Sequence, residues 1–264
     1  MSSKCAPLDL AAWDAEAKSK SADYEKLYQS MMKAQKELTV TTDDKALEIW
    51  WRLAKATFML TYNYIYEGAG YYEAIKNKAD EASRYASKAV AIQADHFEAN
   101  IWLAKSAAKV SQLELDAIKQ IQSFKAFLSA LVTCISLKPD EPRVLFLEGR
   151  LQLMLLTMSD EHKAAITGNV ALPDQNLPLA ESKLRKALQQ QPTVPGHMIL
   201  ALILLELDKF AEVKQVVEKG LALERNTRVD EYAANQLEKV KAFLAEEAKQ
   251  GKGGPVALVN PKNV

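Results

Sequence analysis

Ala89-Val90-Ala91-Ile92-Gln93-Ala94 decides the fold, because its frame recurs as Cys134-Ile135-Ser136-Leu137-Lys138-Pro139 and as Ala187-Leu188-Gln189-Gln190-Gln191-Pro192. Gly220-Leu221-Ala222-Leu223-Glu224-Arg225 is a weaker fourth copy. In each frame a small residue stands five positions before a helix-ending site. In two copies another small residue follows ten positions after the frame, Ala104 and Gly149. Small residues at fixed offsets let one helix cross another closely, and proline then stops the helix. The expectation is an all-α chain, a tetratricopeptide-like right-handed helical solenoid of antiparallel helix pairs. Ala187 to Gly220 spans 33 positions, against a tetratricopeptide period of about 34. The spacings of 45 from Ala89 to Cys134 and 53 from Cys134 to Ala187 record insertions.

Outward from the frames, helices are expected at about 22–38, from 45 through 65, at 71–93, 97–110, 113–137 and 142–158, then at 179–190, 196–207, 209–223 and 229–248. Gly68-Ala69-Gly70 breaks the second of these. The organisation read from this is a flexible N-terminal segment 1–20, a helical repeat domain 21–248 with an insertion at about 159–178, and a flexible tail 249–264. No stretch alternates apolar and polar residues with period two, so sheet is not expected.

In the helix beginning near residue 45, Leu47, Trp50, Trp51, Ala54, Phe58, Tyr62 and Ile65 fall on one broad face. Glu48 and Arg52, four apart, read as a surface pair worth a few tenths of a kcal/mol. Tyr62, Tyr64, Tyr66, Tyr71 and Tyr72 read as packing across the first interhelical joint or as a stacking surface for a ligand.

Composition narrows the function classes. Lysine plus arginine and aspartate plus glutamate are 34 each, so no global field draws nucleic acid or a membrane surface. Cys5 and Cys134 make neither a disulfide framework nor a zinc spacing, and Cys134 fills a repeat's small-residue slot. The first residues show no basic stretch followed by an apolar core, so a secretory signal is not expected. The longest greasy run, 198–205, falls well short of the roughly 20 residues that span a bilayer, and no transmembrane anchor is expected.

His96, His162 and His197 lie too far apart in sequence for a paired metal helix. His96 and His197 follow repeat joints and read as partly exposed packing residues. No Gly-x-Ser-x-Gly elbow is present, and the 251–254 glycines precede no helix that could cradle a phosphate. No catalytic residue, cofactor or metal site is expected. Candidate partner contacts are Arg52, Lys105 and Arg150, the last two directly after the small residues Ala104 and Gly149. Lys249, Lys252 and Lys262 form a candidate electrostatic tail, with no acidic residue after Ala248.

Glu48-Ile49-Trp50-Trp51-Arg52-Leu53-Ala54-Lys55-Ala56 resembles the Leu-Trp-Arg-Leu-Ala-Arg-Ala helix of the regulator of microtubule dynamics family. Asn100-Ile101-Trp102-Leu103-Ala104, Leu147-Glu148-Gly149-Arg150 and the final repeats follow in the family's order, covering about 24–244. Leu151-Gln152-Leu153-Met154 depart from it where aromatic residues are expected. The resemblance implies a tetratricopeptide-like, non-enzymatic protein of microtubules and spindle poles that acts in chromosome segregation, cytoplasmic and cytoskeletal. Some relatives bear an N-terminal membrane anchor and handle phospholipid.

Three functions therefore compete: association with tubulin or microtubules, phospholipid binding or transfer, and peptide docking as a tetratricopeptide adaptor. Tubulin's acidic tails would require a basic patch and a salt-sensitive association. The adaptor reading uses Lys105 and Arg150 but lacks the asparagines a carboxylate clamp places beside them.

Overall fold

The computed structural model describes residues 10–17, 22–38, 40, 42–65, 71–167 and 172–250. The 68–70 glycine break, Cys5, Tyr66, the 251–254 glycines, Lys252 and Lys262 lie outside the described residues. So do the side chains of His162 and Lys249. The chain is all-α, with no strand among the described residues. Two compact units divide it, one within Met1–Glu114 and Ala126–Thr133, the other within Leu115–Lys125 and Cys134–Val264.

In the first unit the order is α1 (Leu10–Glu16), α2 (Tyr24–Lys36), α3 (Asp44–Ile65), α4 (Tyr72–Ile92) and α5 (Phe97–Leu113). Helix α3 packs on α2, α4 and α5, and α4 packs on α5. Ala79, Ala82, Ala86 and Ala89 run at helical spacing down α4 with no exposed surface, a smooth stripe that admits close neighbours. Helix α3 is buried nearly all round, because Ile49, Leu53, Ala56 and Leu60 are covered as fully as the predicted face. Four of the tyrosines take up packing roles. Tyr62 meets Phe58 edge-on at 5.9 Å, Tyr64 stacks on Tyr71 at 6.1 Å, and the Tyr72 hydroxyl donates to the Leu113 carbonyl.

Helix α6 (Ala117–Leu137) is shared between the units. The second unit continues with α7 (Pro142–Thr157), α8 (Asp160–Thr167), α9 (Leu177–Gln190), α10 (Val194–Glu206), α11 (Phe210–Leu221) and α12 (Arg228–Gln250). Helix α10 is its hub, in contact with α7, α9, α11 and α12. It is buried at every residue from Gly196 to Leu204, in keeping with a sequence that is apolar there except at His197.

The recurring frame is a helix-ending device. Gln93, Lys138 and Gln191 are C-caps in or near extended geometry, and each donates its backbone N–H to the frame's small residue four positions back. The bonds run to Ala89 at 3.1 Å, Cys134 at 2.9 Å and Ala187 at 2.8 Å. The small residue is thus both the crossing point and the last bonded turn. Gly220 differs: Ala222 caps α11 in helical geometry and donates to Glu218, while the Gly220 carbonyl accepts from Leu223 at 3.3 Å.

Two readings of the sequence need correction. A helix was expected from 113, but Leu113 ends α5 and α6 begins only at Ala117. Asp116 decides this, its Oδ1 accepting from the backbone of Ile118 at 2.9 Å and Lys119 at 3.1 Å. Within the expected insertion lies helix α8, and within the N-terminal segment lies helix α1. His197 is buried, at 7% exposure, rather than partly exposed. The 198–205 run lies in the buried helix α10, as expected, while α6 is long and apolar enough, by length and composition, to cross a membrane. Its buried residues Phe124, Phe127, Leu131 and Cys134 follow one helical stripe, the pattern of a helix packed on one side against protein.

Candidate functional site

The first unit gathers cations and aromatic rings on α3 and α5. Arg52 is only 7% exposed. Its Nε donates to Asp14 Oδ1 at 2.9 Å and its Nη2 to Asp14 Oδ2 at 2.6 Å, a two-pronged pairing with α1. Nη1 donates to the Glu48 carbonyl at 3.0 Å and to the Glu48 carboxylate. The guanidinium carbon lies 4.0 Å from the centre of the Trp51 ring. Burial alone would lower the Arg52 pKa, but its hydrogen bonds to the Asp14 and Glu48 carboxylates outweigh this and raise the value.

The predicted Glu48–Arg52 pair therefore exists, but as a corrected version of the exposed surface pair. It is a three-membered, largely covered ion pair. A second carboxylate, 38 positions away in sequence, takes the guanidinium edge formed by Nε and Nη2. Glu48 extends the cluster toward α5. It accepts from Trp51 Nε1 at 3.2 Å and lies 3.9 Å from His96 Nε2. His96 is the N-cap of α5, its Nδ1 accepting from the backbone of Ala99 at 3.2 Å. That bond places the ring proton on Nε2, facing Glu48.

Farther along α5, Lys105 Nζ sits 4.5 Å from the centre of the Trp102 ring, and Lys109 Nζ sits 5.6 Å from that of Tyr62. Lys109 is 3% exposed, so its ammonium is held inside the unit. Trp102 lies against Phe58 at 5.9 Å. The buried Trp102 Nε1 and Thr57 Oγ1 have no hydrogen-bond partner among the described residues. Such an arrangement suits the neutralising of carboxylates or other anions by cations seated on aromatic faces.

In the second unit Arg150 is half-buried on α7, beside Gly149. A Cβ at Gly149 would meet three Leu184 side-chain atoms at 2.7–2.9 Å, which fixes how closely α7 and α9 approach. Around it the charges are already matched. Glu148 pairs with Lys183, Asp140 with Lys186 at 2.6 Å, and Glu181 with Arg185 and Lys209 at 2.9 and 2.7 Å. Burial would raise the Glu181 pKa, but the bonds from Lys209 and Arg185 bring it below the usual carboxylate value.

Among the described residues no group of three His, Cys, Asp or Glu side chains could hold a metal ion. Cys134 is fully buried, as its place in the frame implied. Sequence reasoning missed Asp14, the capping role of His96 and the buried ammonium of Lys109. The last was available, since Lys109 stands one helical turn after Lys105. Nothing near Asp14 points to Arg52.

A family model described as Regulator of microtubule dynamics protein 1-3 matches residues 10–244. Among solved structures, a thermophilic TPR protein from Thermus thermophilus superposes with a TM-score of 0.51 over 86% of this chain and 91% of that one. The two are 16% identical, so this likeness shows the fold, tetratricopeptide-like helical pairing, and nothing of function. No curated protein matches the chain.

Proposed function

Because the chain belongs to the regulator of microtubule dynamics family, we propose that it is a non-enzymatic binding protein that associates with microtubules and spindle poles. In this reading it is cytoplasmic and cytoskeletal, supports microtubule dynamics and chromosome segregation, and docks protein through its helical repeats. The match across 10–244 is the observation that carries the reading. Lys105, half-buried over the Trp102 ring in the first unit, supports it, since tubulin's acidic tails require local positive charge and the chain has no net charge to offer. Lys105 and Arg150 contribute to the contact from the repeats, and Lys249, Lys252 and Lys262 from the tail.

Co-sedimentation of the purified chain with microtubules tests the proposal. The expected result is pelleting at low salt that declines as salt approaches the physiological range, where the screening length shortens to about 8 Å. No pelleting at either salt concentration overturns it.

A further inference from the structure

Helix α1 is held in a way that marks its seat as a binding site. It has seven residues and buries none of them. Alone it would not persist, since helices shorter than about 12–15 residues are marginal in water. Its contacts with the rest of the first unit are mainly polar. Asp14 takes the two prongs of Arg52, and Trp13 Nε1 donates to Ser30 Oγ at 3.1 Å. The Ala17 carbonyl accepts from the Tyr24 hydroxyl at 3.2 Å. Below it is a small pocket lined by Trp13, Asp14, Leu27, Met31, Arg52 and Ala56. The floor, Leu27 and Met31, is almost wholly buried and belongs to α2, whereas the guanidinium comes from α3.

Beneath α1, Leu27, Met31 and Ala56 form an apolar seat beside a covered, forked cation. Helix α1 walls the pocket with Trp13 and Asp14, an aromatic ring next to a carboxylate, and buries neither fully. We infer that the α2–α3 surface around Arg52 is a binding site for a helical segment of a partner protein carrying an aromatic residue next to an acidic one, and that α1 occupies it as a displaceable internal ligand. The fork sets the chemistry: a planar carboxylate satisfies Nε and Nη2 together, which a lone amide oxygen cannot do. A tethered occupant competes at high effective concentration, so the partner's apparent affinity is reduced by the fraction of time α1 is seated. The site stands apart from the microtubule reading, because it lies within one unit and needs no polymer.

The test uses the full chain and a fluorescein-labelled peptide with the chain's own residues 8–17 as probe, read by anisotropy. Asp14→Asn in the protein removes the internal carboxylate, and the peptide is expected to bind this variant roughly tenfold more tightly than the wild type, the worth of a charge-assisted hydrogen bond. A peptide with its second aspartate changed to asparagine should lose that gain. Arg52→Lys in the Asp14→Asn background should lose it too, since lysine keeps the charge but not the fork. Equal binding of the two peptides, or no gain in Asp14→Asn, overturns the inference. Should the Arg52→Lys variant not fold, the peptide pair decides alone. Concentration-dependent dimers of the wild type with α1 exchanged between copies would assign the seat to a second copy and overturn the partner.

Discussion

His197 shows what a single buried titratable ring does to stability. It is 7% exposed on α10, with Nδ1 2.8 Å from the Thr193 carbonyl. Burial lowers its pKa from the ordinary 6.5, the Thr193 bond opposes this, and the charge on Lys219 adds to the lowering. The folded chain therefore keeps the ring neutral where the unfolded chain begins to protonate it. Between the ordinary value and the lowered one the unfolded state binds more protons, so stability rises with pH. The contribution is complete above the ordinary histidine value and is lost as pH falls through the lowered one. Urea unfolding at pH 7.5 and 5.5 should show a loss for the wild type that is smaller in His197→Asn, which cannot titrate. Gly220 presses on the same ring: a Cβ there would stand 2.7 Å from both His197 Cβ and Leu237 Cδ1. Gly220→Ala should therefore destabilise by about 1–3 kcal/mol, the usual range for overpacking, measured as a lower urea midpoint with unchanged slope.

Helices were legible where their ends are chemically marked. Ala89, Cys134 and Ala187 announced three C-termini because the small residue that allows a crossing also accepts the capping N–H, so one local pattern records both events. Pro142 marked the start of α7 in the same way. Helix α1 left no such trace. Its anchor is an ion pair with a residue 38 positions on, and a period-counting argument is blind to a contact made by one carboxylate. The covered state of Arg52 was hidden for the same reason: spacing showed Glu48 one turn away but not the second acid that closes over the guanidinium. The start of α6 was misread because Leu113 continues the apolar period, whereas Asp116 breaks the backbone pattern. At this scale the clearest test is the α7–α9 crossing. Leu184 is fully buried, so its three atoms crowding Gly149 cannot swing into open space. Gly149→Ala should cost about 1–3 kcal/mol in urea unfolding, and the double variant Gly149→Ala, Leu184→Ala should relieve the clash but not restore the lost apolar volume. A Gly149→Ala variant as stable as the wild type would show that the crossing is not set by the glycine.

Across the molecule, 34 basic and 34 acidic side chains cancel, and only three histidines are present to change that balance near neutrality. One of the three, His197, has its pKa lowered by burial. Net charge therefore changes little between pH 6 and 8, and no long-range field steers the chain toward an acidic polymer. Association of the kind proposed here must rest on local cations, which makes it sensitive to salt rather than to pH. Lys105 and Arg150 are half-buried on helices, so their positions are set before binding, and little side-chain freedom remains to be lost. Replacing Lys105 and Arg150 together by glutamine should reduce microtubule pelleting at low salt by roughly fivefold, the scale of two partly screened charge contacts, with helical circular dichroism unchanged. Replacing Lys249, Lys252 and Lys262 together should reduce it less. The reverse order would move the contact from the repeats to the tail, and equal pelleting by all three proteins would remove local charge as the basis of the association.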